Sequence, residues 1–302
     1  MALTGATGFI GSVLLKYLTE QGYLIRALHR PCSSPPKPIV SVTWVTGTLE
    51  DVDSLRALVT DVDVVVHCAG AVRGATLEQF KKINTEGVER LLQVAVEQRV
   101  SHFLLMSSLA AREPTLSAYA LSKKLGEDIL PRYNDKISWH ILRPPAVYGP
   151  GDREMQPLLK LIKRGIIPMV GRKEGRFSLL YVDDLAEAVV CLLRSYRKNQ
   201  GQCFELHDGH PDGYTWAQIA AIATHLNGKV PRCFSIPRGL LYIAGQINIA
   251  MAHLGHYQPM LTPGKVREIF HPDWVSNNTK ITQALDWQPK ILLQDGMKRL
   301  FY

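Results

Sequence analysis

No two of the five cysteines (Cys32, Cys68, Cys191, Cys203 and Cys233) stand in CxxC spacing, so neither a zinc site nor a disulfide framework is expected. They read as reduced thiols of a cytoplasmic protein, and no metal ligands are assigned. Long apolar runs are missing too. The longest candidate, "GLLYIAGQINIAMAHLG" (Gly239 to Gly255), is broken by Gln246 and Asn248 and falls short of the roughly 18 residues a bilayer span requires. It reads as a buried or groove-lining helix, with attachment to a membrane surface as the lesser alternative. No basic, apolar and cleavable leader precedes the glycine turn near Met1, so secretion is not expected, and the N-x-T sequon at Asn277 reads as a chance match. Dense Lys/Arg runs with interleaved aromatics are absent. The net charge of +8 is therefore not the footprint of a nucleic-acid partner but a thinly spread field that favours an anionic cofactor or a small-molecule substrate.

What is there is an α/β pattern. Short apolar runs alternate with amphipathic segments through the first half: "MALT", "YLIRALH", "VTWVTG", "VDVVVHCAG", "HFLLMSS" and "SWHILRP" read as six strands. The fourth is nearly continuous in β-branched residues, as a strand buried on both faces should be. Helices are expected from about Phe9, over Thr76 to Gln98 and over Ala118 to Leu130, while the Pro-rich Arg30 to Pro38 is a loop. The fold class is a Rossmann-type doubly wound parallel sheet with a smaller, mostly helical C-terminal lobe. Residues 1–150 form the dinucleotide-binding domain, 176–200 return to it, and 151–175 with 201–302 make the substrate lobe.

Gly5, Gly8 and Gly11 stand at three-residue spacing between the first strand and the first helix. That arrangement allows a tight turn, a close approach of backbone to a pyrophosphate, and close helix packing, with the helix N-terminus facing the phosphate. The second strand ends His29-Arg30, without the acid that would receive the ribose 2′-hydroxyl of NAD. Arg30 suits a 2′-phosphate instead, so NADP(H) is favoured over NAD(H). Lys37, in the loop beyond, reads as an ordinary solvated lysine.

"SAYALSKKLGE" sets Tyr119 four residues before Lys123, on one face of a helix. A phenol next to an ammonium group and an oxidised nicotinamide can exchange a proton with a carbonyl or alcohol. Ser107-Ser108 end the fifth strand, where ligands gather in an open parallel sheet, and either serves the reacting oxygen or only turns the chain.

These residues, with "TGATGFIG", "INTEGVERLL", "LLMSS", "LRPPAVYGPGD", "YVDDLAEAVV" and "ALDWQP" in that order, resemble an extended short-chain dehydrogenase/reductase of the NAD-dependent epimerase/dehydratase-like group. The likeness lies nearer the 3β-hydroxysteroid dehydrogenase and dihydroflavonol reductase side. It implies Tyr119 as acid/base, Lys123 as its electrostatic partner and ribose ligand, and Ser108 as the substrate-oxygen ligand. The implied cofactor contacts are Gly5, Thr7, Gly8, Phe9, Ile10, Gly11, Arg30, Leu49, Ala69, Gly70, Tyr119, Lys123, Pro144 and Val147. A homodimer built on the Thr76 to Gln98 and Ala118 to Leu130 helices is implied as well. Asn84 reads as structural, Arg143 as a turn anchor, and Asp183-Asp184 as a helix start.

Thr48 stands where the family often has an adenine-contacting aspartate, and Phe177 where nucleotide-sugar enzymes carry an arginine. The reading this supports first is an NADP-dependent reductase or dehydrogenase of a carbonyl or secondary alcohol on a fairly apolar molecule. The alternatives are a nucleotide-sugar epimerase or dehydratase retaining NAD, with Arg172 or Arg176 holding the diphosphate, and a non-catalytic NADP-binding sensor.

Overall fold

The computed structural model describes residues 1–31, 36–197, 200–255 and 257–301; Cys32 and part of the Pro-rich loop lie outside the described residues. The first half alternates as expected: β1 (Ala2–Thr4), α1 (Phe9–Glu20), β2 (Ile25–His29), β3 (Val42–Thr46), α2 (Val52–Val59), β4 (Val64–His67), α3 (Leu77–Asn84), α4 (Glu86–Glu97), β5 (His102–Met106), α5 (Ala118–Glu127) and β6 (Ser138–Arg143). After them come β7 (Ala146–Tyr148), α6 (Gln156–Lys163), β8 (Ile166–Met169), β9 (Arg176–Phe177), β10 (Leu179–Tyr181), α7 (Val182–Ser195) and β11 (Gln202–Glu205). The chain closes with α8 (Trp216–Asn227), β12 (Arg232–Ser235), α9 (Arg238–Gly255), α10 (Pro263–Ile269), β13 (Asp273–Trp274), α11 (Thr279–Leu285) and α12 (Leu293–Phe301).

The main sheet is parallel, in the order β11-β6-β5-β4-β1-β2-β3. Chain direction across the sheet reverses between β1 and β4, and the crevice at their carboxyl ends is where such folds take ligands. The strand pleat divides the core in two. Leu3, Val64, Val66, Leu104 and Met106 pack with Leu14 and Leu18 of α1 and Leu185, Val189 and Leu192 of α7. Ala2, Val65, Phe103, Leu105 and Ile141 pack on the other face with Leu55, Leu58, Leu91 and Leu92. The three valines of β4 thus feed both faces, which explains their unbroken run. A third core, including Tyr148, Leu159, Ile162, Tyr181, Trp216 and Met297, joins β7, β10, α6, α8 and α12.

Three elements differ from expectation. Gln202–Glu205, counted with the second lobe, is the seventh strand of the main sheet beside β6. The helix expected over Thr76 to Gln98 is two, bent at Thr85 (φ −116°, ψ −66°), whose Oγ1 donates to the Ser122 carbonyl of α5 at 2.9 Å. Close packing forces that bend: a Cβ on Gly126 of α5 would stand 2.2 Å from the Asn84 carbonyl oxygen. Finally, of the buried and groove-lining readings of Gly239 to Gly255 the buried one fails, because only Gly245 and Ala252 of α9 are buried, while Ile249 lines a cleft. Among the described residues no helix is long and apolar enough to cross a membrane.

Two histidines inside the sheet carry a pH liability. His67 and His102 are fully buried, and burial holds the pKa of each down at about 3; Lys123 adds to the effect at His67 and His140 at His102. The unfolded chain takes up these protons near pH 6.5 and the folded chain does not. Stability is therefore lost as pH falls below about 6.5, by roughly 1.4 kcal/mol per pH unit for each histidine. Burial raises the pKa of Asp184 and Asp208, which works in the opposite sense, since the folded chain takes up their protons before the unfolded one does. Urea midpoints should drop steadily from pH 7 to pH 5; a flat profile there would contradict the assignment.

Candidate active site

The glycine turn is built for close backbone approach. Gly5 adopts φ +74°, and a Cβ on it would stand 2.7 Å from the Ala69 nitrogen; one on Gly11 would stand 2.0 Å from the Gly5 carbonyl oxygen. Gly8 precedes α1 and supplies no side-chain cap, so the N–H groups of the helix's first turn remain free to meet a phosphate. A side chain at Gly5 would collide with the backbone after β4 and one at Gly11 with the turn itself, and Gly8 leaves the helix end bare. The turn fits a dinucleotide pyrophosphate.

Thr7 and Gly8 are exposed, and Phe9 and Ile10 half-buried beside them; the Phe9 ring lies against Gly149 and Gly151 of the loop after β7. Arg30 is exposed immediately after β2. Leu49 packs on Gly87, and its carbonyl accepts from Arg90 Nη1 at 2.7 Å. At the end of β4, Ala69 N–H donates to Thr4 Oγ1 (3.2 Å) and Ala71 N–H to Asn84 Oδ1 (2.8 Å). Asn84 also donates to the Ala71 carbonyl and to Ser122 Oγ, so it clamps the loop carrying Gly70. Pro144 follows β6 and Val147 lies in β7. The β1, β2, β4 and β6 contributions all leave the carboxyl ends of their strands.

Tyr119 and Lys123 are placed by α5. The Ser117 hydroxyl caps that helix, accepting from Ala120 N–H at 2.9 Å. Lys123, nearly fully buried, donates to the Met106 carbonyl at 2.9 Å, and its Nζ lies 3.5 Å from where a Gly70 Cβ would be. Burial lowers its pKa to about 8, with Cys68 and Glu127 pulling the other way. Burial raises the pKa of the Tyr119 phenol, while a hydrogen bond with the Ser108 side chain and the charge of Lys265 pull it down. Of the two serines, Ser107 donates to Glu127 Oε1 at 2.5 Å. Glu127 in turn receives a two-pronged contact from Arg143, Nε to Oε1 at 2.9 Å and Nη2 to Oε2 at 2.5 Å. Arg143 therefore anchors α5 to β6, and Ser108 is the serine beside Tyr119.

The cation that faces the phenol ring was not visible beforehand. Lys265 of α10 stands 5.9 Å from the centre of the Tyr119 ring and donates to Glu268 Oε2 at 2.8 Å. Burial works against its charge, but the Glu268 carboxylate outweighs that and lifts its pKa above the usual lysine value. Glu268 also accepts from the Ser117 hydroxyl, tying α10 to the start of α5. With Phe80, Val72, Ile249 and Met260 these groups line a cleft of about 210 Å³. Nothing in "PGKVRE" marks Lys265 as special: its pairing with Glu268 is an ordinary i,i+3 contact, and the Tyr119 ring it faces lies far away in the chain.

Arg176 sits elsewhere, paired with Asp273 at 3.3 Å on the wall of a second cavity, and exposed Arg172 lines neither. Asp183 and Asp184 open α7, and Asp184 Oδ2 accepts from the backbone N–H groups of Lys290 and Ile291. Among the described residues no three His, Cys, Asp or Glu side chains are grouped to hold a metal ion.

Residues 1–206 match the model of the NAD dependent epimerase/dehydratase family. A protein of Caulobacter vibrioides named ceramide reductase is 36% identical over 288 residues, covering 94% of this chain and 88% of that one. A 2-alkyl-3-oxoalkanoate reductase of Stenotrophomonas maltophilia is 24% identical over 325 residues, covering 99% of this chain and 97% of its own. Among solved structures, a UDP-glucose 4-epimerase of Thermotoga maritima with UDP-glucose superimposes with a TM-score of 0.76 at 20% identity, covering 98% of this chain and 96% of that one.

Proposed function

The chain belongs to the NAD dependent epimerase/dehydratase family and is an NAD(P)-dependent oxidoreductase of the extended short-chain dehydrogenase/reductase type; from that premise we propose that it reduces the ketone of a long-chain lipid of the ceramide kind, with NADPH as donor. The observation that carries this reading is the cleft lined by Tyr119 and Lys265 together with Val72, Phe80, Ile249 and Met260, with Ser108 hydrogen-bonded to the same Tyr119. The likeness to a ceramide reductase over nearly the whole of both chains supports the lipid class.

The dinucleotide, when bound, supplies a hydride to the carbonyl carbon. This chain's residues handle the oxygen. Ser108 hydrogen-bonds the ketone oxygen and Tyr119 gives it a proton, leaving a secondary alcohol and a phenolate. Burial keeps the phenol protonated beforehand, the form reduction requires, and Lys265 stabilises the phenolate afterwards. Lys123 holds the ribose in this reading, which its closeness to Gly70 supports. Arg30, exposed after β2, meets the 2′-phosphate and favours NADPH over NADH. The free thiols of Cys68, Cys191, Cys203 and Cys233 accord with a cytoplasmic location.

The test is to incubate purified protein with NADPH or NADH and a keto ceramide, short ketones or UDP-glucose, following nicotinamide fluorescence. NADPH should be consumed fastest with the long-chain ketone. Tightly retained NAD together with conversion of UDP-glucose would replace this reading with the nucleotide-sugar one.

A further inference from the structure

From Gly213 to Arg267 the chain contains no aspartate or glutamate but five cations: Lys229, Arg232, Arg238, Lys265 and Arg267. Within this acid-free window lies α9, whose outer side is apolar. Leu240, Ile243, Ile247, Met251 and Leu254 are between half and five-sixths exposed. At 100° per residue they fall on a stripe about 80° wide. Asn248 faces away from the stripe and donates to the Leu261 carbonyl, while Ile249, roughly opposite it, lines the cleft beside Tyr119. The strand leading into this helix, β12, is exposed along its whole length and carries Arg232 and Phe234, with exposed Lys229 and Val230 just before it.

A contiguous apolar stripe of this size is costly to leave in water. A helix with an apolar face, cations at its approach and no acid suits an anionic bilayer surface, where the stripe enters the acyl boundary and the cations meet headgroup phosphates. We propose that the outer stripe of α9 docks this protein on an anionic lipid bilayer, so that the other side of the same helix guides a lipid ketone from the bilayer into the cleft. The docking stands on the helix alone; the delivery clause rests on the reductase reading above. The modest cleft fits this arrangement, since it need admit only the reacting end of a lipid while the chains stay outside.

The test is flotation of the full chain with phosphatidylcholine vesicles, with and without phosphatidylglycerol, in the absence of ketone and NADPH. Wild type should float with the anionic vesicles, less so as salt rises. I247E/M251E should weaken partition by about tenfold or more, and K229E/R232E should weaken it on anionic vesicles alone. NADPH consumption with a water-dispersible ketone should be unchanged in both variants, which also shows that they fold. Wild type failing to float, or I247E/M251E floating equally well, overturns the proposal. So does a sedimenting dimer that I247E/M251E converts to monomer without any vesicle binding, since the stripe would then be covered by a second copy. Flotation without ketone reduction leaves docking standing and removes the reductase reading instead.

Discussion

Replacing Tyr119 with phenylalanine should lower kcat for ketone reduction by about 10²–10⁴-fold, the usual worth of a positioned general acid, while NADPH affinity measured by fluorescence titration stays near wild type. The ring remains to pack edge-on against Phe80, with centroids 5.8 Å apart, so only the proton is lost. Lys265→Met is the companion variant. Because Lys265 pulls the phenol's pKa down against the effect of burial, its removal should lower kcat and move the alkaline limb of the pH–rate profile upward. Tyr119→Phe turning over within a few-fold of wild type would remove Tyr119 as the proton donor, whereas a cofactor-loaded wild type that reduces no ketone would leave a cofactor-binding sensor as the better reading.

The largest effect on stability is expected from Glu127→Ala. Its carboxylate is almost wholly buried, pairs with an Arg143 side chain that is 18% exposed, and accepts from Ser107. Truncation leaves a guanidinium and a hydroxyl without their partner, and breaking such a pair costs about 3–5 kcal/mol. A guanidinium keeps its proton at any working pH, so the arginine cannot escape the cost by becoming neutral once Glu127 is gone. Urea unfolding should show the loss. Removing both partners as Glu127→Leu with Arg143→Met should recover part of it, since apolar neighbours replace the pair. A loss under about 1 kcal/mol for Glu127→Ala would mean that solvent reaches the pair.

The sheet and its crevice were legible because their determinants are local: β-branched runs, glycine spacing and strand-end residues can be read within a dozen positions. The bend at Thr85 was not, because Ser122 and Gly126 impose it from another helix. Lys265 and Glu268 were hidden for a similar reason, since their relation to Ser117 and Tyr119 exists only once α10 lies across the start of α5. For α9 the sequence left burial and groove lining both open, and the structure keeps only the second, because composition carries no information about which face finds a partner. Gln202–Glu205 followed a helix and a turn typical of the main domain, and nothing in four residues showed that the sheet would extend by one more strand.

The tie between Ser117 and Glu268 spans 151 residues of chain. During synthesis, then, the ribosome releases the glycine turn, the sheet and the tyrosine helix long before the segment that completes them. The cation opposite the phenol and the carboxylate that holds it are therefore made only when nearly nine-tenths of the chain is out, so the tyrosine helix waits for its cap's partner until synthesis is almost complete.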